Sequence, residues 1–403
     1  MPVQALGTAK TVTVMSMFVG EHQKSFEDSL IPFEQSTGID VIYEGSQAFP
    51  TLITERVEAN QQPDIAIFPQ PALMTQFAAQ GKLIPLTEII TEGELRRLYS
   101  DAWIELGSVE DTPYALWYRA SVKSLVWYRP TAFMAKGYDI PTSWDSLIAL
   151  SEQIVTDGGT PWCIGLGSGA ATGWPGTDWI EDIMLRTAGP EAYRQWIAHQ
   201  VPFSSPSVLQ SMQTFSQILH RPNFVDGEAA STVDKPYGET ALELFNEPPN
   251  CYLYRQANFV DAFFPEDKEA RVDYDVFPLP SIDERFGTPI LVAGDALAMF
   301  RDTPEARALM QYFATPVPHE ILAGSKGYIS PHKQFDIDAY PNLVTQKIAH
   351  ILSQAESIQF DGSDMMPGSV GSDRFWAEMV LFAEGKSPED VAASIDASWP
   401  DAD

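Results

Sequence analysis

The stretch TVTVMSMFV, residues 11–19, alternates along its length and is rich in β-branched positions, so it predicts a strand. In the segment that follows, Phe26, Leu30 and Phe33 recur at helical spacing, and Gly38 ends the run. IDVIYE (39–44) predicts a second strand. FPTLITERVEAN carries Leu52, Ile53 and Val57 on one helical face, and PDIAIF (63–68) predicts a third strand, entered through proline. PALMTQFAAQGK closes with Gly81, a residue that readily takes the left-handed conformation of a helix end. This β-α-β-α-β-α alternation predicts a mostly parallel sheet covered by helices.

PYALWYRASVKSLVWYRP (113–130) breaks the rhythm, being long, aromatic and extended with polar residues at its middle. A helix follows in IPTSWDSLIALSEQIV, with Ser143 at its N-cap. The elements then read as mixed, with proline-rich loops, up to about residue 280. TPILVAGDALAMF (288–300) is a second apolar extended run, with Gly-Asp at its centre. Helices are predicted at 304–315 and 318–325, then GYISPHK interrupts. From Pro341 onward the tail reads as helical apart from the loop FDGSDMMPGSVGSD. The two extended runs are far apart in sequence, which suits a chain that crosses more than once between two lobes. A length of 403 residues also suits two lobes.

Composition narrows the chemistry. No run of eighteen apolar residues occurs, so no membrane-spanning segment is expected. The formal net charge of -30 argues against nucleic acid, whose phosphates would be repelled. Six scattered histidines and two cysteines supply no HExxH, CxxC or zinc spacing, so neither metal nor cofactor is expected. Cys163 and Cys251 read either as two buried thiols or as one disulfide. The opening MPVQALGTAK has no basic n-region and no apolar h-region. It fits a cytoplasmic protein or one whose signal peptide has been removed.

GLGSGAATGWPGTDWIEDIML (165–185) holds five glycines ahead of an amphipathic segment. GLGSGA matches a dinucleotide fingerprint, but the helix does not start inside it, so that reading is rejected. No G-x-S-x-G elbow exists. Asp178 as N-cap with Glu181 three residues on reads as a capping box, with Ile180, Ile183 and Met184 as the buried stripe. Trp174, placed before that helix in a glycine-rich loop, offers a face that could stack on a sugar ring or anchor the core. Ten Trp and fourteen Tyr, many beside acids and amides, suit a pocket for a neutral polyol or sugar. A glycoside-acting enzyme with paired carboxylates is the rival, although 55 acidic residues make such pairs uninformative.

FEQSTGIDVIYEGS, PDIAIFPQPALMTQFAAQGKLIPL, VKSLVWYRP, YDIPTSWDSL, GWPGTDWIEDIMLR and FDGSDMMPGSVGSDRFW occur in this order. Together they resemble the family 1 solute-binding proteins of ABC sugar importers, most of all the α-glucoside and glucosylglycerol binders, over residues 11–399. The resemblance implies an α/β, two-lobe periplasmic-binding-protein fold with a ligand cleft between the lobes and several crossing strands. It implies one lobe from 1–118 and 292–328, a second from 122–289 and 332–403, and hinge crossings near 119–121, 290–291 and 329–331. It implies capture of a small α-glucoside (glucosylglycerol, sucrose or trehalose) by hinge closure and delivery to a membrane permease, with no chemistry on the ligand.

The same resemblance places the protein in the periplasm or outside the cell, as a monomer, with a lipid anchor possible in a longer precursor. In that oxidising compartment Cys163 and Cys251 are expected to be joined. The ligand-binding residues it implies on the first lobe are Phe18, Glu21, Ser46, Gln47, Phe49 and Gln70, with Asp64 structural. At the crossings they are Tyr118, Arg119, Gly294 and Asp295. On the second lobe they are Trp174, Asp178, Tyr328, Asp361 and Asp364, with Ser330 beside Tyr328 in the cleft loop.

Overall fold

The computed structural model describes residues 10–400. Its main strands, in chain order, are β1 (Lys10–Ser16), β2 (Ile39–Gly45), β3 (Ile65–Phe68), β4 (Ala115–Val122) and β5 (Leu125–Tyr128). β6 (Leu253–Arg255), β7 (Asp275–Pro278), β8 (Ile290–Met299) and β9 (Ile358–Phe360) complete them. The described residues divide into two compact units, one of residues 10–120 and 294–339, the other of residues 121–293 and 340–400. β4 and β8 each contribute residues to both units.

In the first unit the strand order is β8-β3-β1-β2, and β4 also pairs with β8. β1 runs parallel to β2 and to β3, while β8 meets β3 antiparallel with Ala296 opposite Phe68. The mostly parallel sheet predicted from the first three strands is therefore mixed. The antiparallel member arrives from far along the chain, beyond the reach of local alternation. Helices α1 (Glu21–Thr37) and α2 (Phe49–Glu58) connect the parallel strands, and α3 (Pro71–Ala79) follows β3. Gly38 ends α1 at φ 68°, which an L side chain would resist. Asp64 accepts from the Thr13 amide (2.8 Å) and hydroxyl (2.7 Å), tying β3 to β1. The segment 329–335 belongs to this unit: Ala120 N–H donates to Ile329 O, and Lys333 N–H to Leu98 O.

The second unit holds the sheet β7-β5-β6-(Trp162–Cys163), antiparallel except for its last pair. β9, which the sequence pattern did not predict, lies parallel to the first half of β8. Helix α4 (Trp144–Thr156) starts at Ser143, whose hydroxyl accepts from the Ser146 amide as expected of an N-cap. Cys163 and Cys251 are joined, with Cα atoms 5.3 Å apart. Helix α5 (Trp174–Thr187) corrects the reading of its own N-terminus. Its cap is Gly173, Trp174 is its first residue, and Asp178 lies a full turn inside. Asp178 and Glu181 form no capping box, because Pro175 at the second helical position had already started the helix. Nor is its buried face a single stripe: every residue from Pro175 to Arg186 is buried. No helix among the described residues is long and apolar enough to cross a membrane.

Candidate functional site

Each unit carries its own group of aromatic and ionic side chains, set where β4 passes from one unit to the next. In the first unit, Phe18 follows the end of β1 and packs on Tyr118 of β4, ring centres 5.4 Å apart. The Arg119 guanidinium lies 5.1 Å from the centre of the Phe18 ring. Its Nε donates to Asp295 of β8. Gly294 makes this approach possible, since a Cβ there would stand 2.7 Å from the Arg119 carbonyl oxygen.

Behind these groups, Tyr328 donates its hydroxyl to the Tyr118 carbonyl (2.9 Å) and meets Nδ1 of the buried His319 at 2.7 Å. Ser330 also reaches His319 Nδ1, at 3.0 Å. Burial, with the neighbouring His332 adding to it and a hydrogen bond to the Phe313 carbonyl opposing it, pushes His319 down to about 3. His22 is lowered by burial and by the Arg119 charge. A small pocket is lined by Phe18, His22, Ser25, Tyr118, Arg119 and Tyr328. The larger surface hollows, one beside Arg96 and Asp101 and one beside Trp144 and Arg285, contain none of these residues.

The other first-unit candidates scatter. Glu21 is exposed in the first turn of α1, and Gln47 is exposed before α2. Ser46 N–H donates to Ser16 O (2.9 Å), and its hydroxyl accepts from the Ala48 amide. Phe49 is fully buried against Phe68 and belongs to the core. Gln70 precedes α3 with its Oε1 buried and unpartnered. Fold topology thus brings Phe18, Tyr118, Arg119, Gly294 and Asp295 together with Tyr328, which belongs to the first unit and not to the second lobe as expected, and leaves the remaining five outside these contacts.

In the second unit a buried ionic network takes the place of the expected capping box. Lys123, in the break between β4 and β5, donates to Asp178 of α5 (2.9 Å) and to Asp361. Arg255 of β6 pairs with Asp182 (2.9 Å) and Asp178 (3.4 Å), and Arg186 pairs with Asp182. Glu181 accepts from the amides of Gly362 (3.1 Å) and Ser363 (3.0 Å). Four buried carboxylates therefore surround three buried cations.

The surplus shows in the titration. Burial, together with the charges of Asp361 and Asp178, raises Glu181 well above the usual carboxylate range despite its two amide donors. Burial raises Asp178 to about 6, with Lys123 and Arg255 opposing. Asp361 is raised by burial too, but the charge and hydrogen bond of Lys123, with those of Ser363 and Asp364, hold it below its ordinary value. Burial alone would lower Lys123; Asp178 and Asp361 outweigh it and keep the ammonium charged. Oxygens of Asp178, Glu181 and Asp361 lie within 4.8 Å of one another, a spacing that could hold a cation. The Lys123 ammonium already bridges two of the three.

The Lys123 ammonium also lies 5.1 Å from the Trp174 ring centre. Trp174 is half-buried and packs edge-on to Tyr237 (5.0 Å) and against Phe259 (6.0 Å). Asp364, partly buried, donates its amide to Asp361. The sequence reading passed over Lys123, Asp182 and Arg255, and it explained Glu181 as a cap. The one local signal was the spacing of Asp178, Asp182 and Arg186, four residues apart on one helical face. It also missed Trp376, whose indole nitrogen is buried without a partner and whose carbonyl occupies the space a Cβ at Gly173 would need.

The bacterial extracellular solute-binding protein family matches residues 19–319. The chain belongs to that family. It is 49% identical over 391 residues to the osmoprotective compounds-binding protein GgtB of Synechocystis, covering 97% of this chain and 93% of that one. It is 38% identical over 398 residues to the alpha-glucosides-binding periplasmic protein AglE of Rhizobium meliloti, covering 97% and 87%. Among solved structures, the bacterial solute receptor AcbH matches with TM-score 0.82 at 18% identity over 97% of this chain and 98% of that one. Maltose-bound MalE3 of T. maritima matches with TM-score 0.73 at 16% identity over 96% and 98%. The chain is thus an α/β solute-binding protein of an ABC importer, working outside the cytoplasm, and not an enzyme. The glycoside-acting alternative is set aside.

Proposed function

We propose that this protein captures a small neutral α-glucoside of the glucosylglycerol, sucrose or trehalose class and hands it to a membrane permease. The observation that carries this reading is the identity of 49% and 38% with relatives named for osmoprotective compounds and for alpha-glucosides. The side chains supply fitting chemistry. The face of the half-buried Trp174 suits the C–H face of a pyranose, and charged groups such as Arg119 and Asp295 suit its hydroxyls. Capture is by hinge closure, the bound ligand favouring the closed state. The proposal includes hinges near 119–121 and 290–291, close to where β4 and β8 pass between units, with the third passage near 339–340 rather than 329–331, action as a monomer, and a lipid anchor on any longer precursor.

A thermal-shift panel of glucosylglycerol, sucrose, trehalose, maltose and glycerol tests the proposal. Ligand at about one hundred times Kd adds roughly 2.7 kcal/mol of stability. A shift is expected with α-glucosides and little with glycerol. No shift with any α-glucoside at millimolar concentration would remove the ligand class.

A further inference from the structure

Every cation in the two ionic groups already has a carboxylate on it. Arg119 is held by Asp295, Lys123 by Asp178 and Asp361, Arg255 by Asp178 and Asp182, and Arg186 by Asp182. This matters for what a ligand can present. A carboxylate is best bound by two parallel N–H donors on one edge of a guanidinium. On Arg119 the edge containing Nε is taken by Asp295, which is itself buried. A ligand carboxylate approaching Arg119 would therefore meet a like charge beside it.

Nearby groups do not offset this. The lowered His22 stays neutral near neutral pH. Lys326, on the rim of the same small pocket, is exposed, so its charge is screened. In the second unit the carboxylates outnumber the cations, and the chain as a whole carries a net charge of -30. A hydroxyl suffers none of these penalties. It can donate to an aspartate oxygen or accept from a guanidinium N–H without disturbing the pair.

We infer that Asp295 is a specificity-determining residue: by occupying Arg119, it makes the protein select neutral glycosides and reject analogues that carry a carboxylate. The inference rests on the α-glucoside reading and sharpens it to uncharged members of that class. The gate is a single side chain, and removing its charge should open it.

The test is calorimetric titration of the whole chain near neutral pH with two probes that differ at one carbon. They are glucosylglycerol and glucosylglycerate, in which a terminal CH2OH is a carboxylate. Glucosylglycerate is expected to bind at least about fiftyfold more weakly, since its carboxylate is brought beside a like charge. In Asp295→Asn, which keeps the shape and frees Arg119, that gap should narrow by about tenfold or more. Wild-type affinities within about threefold of each other would overturn the inference. So would an unchanged gap in Asp295→Asn that still binds glucosylglycerol. If that variant fails to fold, Asp295→Ser, which also removes the charge, takes its place in the same comparison. Failure of the wild-type chain to bind glucosylglycerol, sucrose or trehalose would bring down the α-glucoside reading as well. Equal binding of the two probes would bring down this inference alone.

Discussion

Lys123→Met keeps the length of the side chain and removes its charge. Lys123 is buried, with its ammonium on Asp178 at 2.9 Å and on Asp361. The substitution leaves Asp361 without a cation and Asp178 with Arg255 alone, 3.4 Å away. Removing one partner of a buried pair commonly costs about 3–5 kcal/mol, because the other charge stays in a poorly solvating interior. The cost should depend on pH. Without the ammonium, both aspartates bind protons more tightly in the folded state than in the unfolded chain. Stability of the variant then falls as pH rises through the raised folded values. The deficit against wild type should be largest near pH 7.5 and smaller near pH 5. Urea unfolding of the ligand-free protein at the two pH values, followed in the second unit by the fluorescence of its tryptophans, measures both quantities. A deficit below about 1 kcal/mol near neutrality would refute the view that the network is a set of buried, mutually dependent charges. A large deficit equal at the two pH values would assign the loss to packing instead.

Three further outcomes are expected. Trp174→Ala should weaken α-glucoside binding by about 2 kcal/mol or more, roughly thirtyfold, in a calorimetric titration. Near-normal affinity with about 3–5 kcal/mol lost from the ligand-free protein would make Trp174 a core anchor instead. His319 is buried and held neutral, with its folded value near 3 against an ordinary value of 6.5. The unfolded chain gains a proton there that the folded one refuses, so stability should fall as pH drops below about 6.5, by roughly 1.4 kcal/mol per unit for this group. Melting curves of wild type and His319→Asn between about pH 7 and 4.5 should converge as pH falls, and parallel curves would exclude His319 as a source of acid sensitivity. Replacing Cys163 and Cys251 by alanine opens a loop with a sequence separation of 88. In the chain-entropy treatment this removes about 4–5 kcal/mol, read as a lower urea midpoint under oxidising conditions, and an unchanged midpoint would show the bridge to be dispensable.

The hydrophobic pattern determined the elements of the first eighty residues nearly to their ends, and the short helices that follow, such as Glu92–Leu98, went unread. β1, α1, β2, α2, β3 and α3 follow from period and end signals alone, because each signal (Gly38, Pro71, Gly81) acts within a turn of the residue that carries it. The ordered motifs determined the family, since together they extend over most of the chain. What remained hidden depends on partners far away in sequence. That the sheet is mixed depends on β8 meeting β3, and β9 was too short to show a period of its own. Asp178 and Glu181 fit a capping box on spacing, but Pro175 starts the helix a turn earlier, and only tertiary packing shows that helix buried on every side. Lys123 stood in plain view as one polar residue between two strands. Its meaning comes from Asp178, 55 positions on, and from Asp361, 238 positions on, and only the fold puts those charges together. A helical or strand period reports which side of one segment faces the core. It carries no information about which charge will be waiting there.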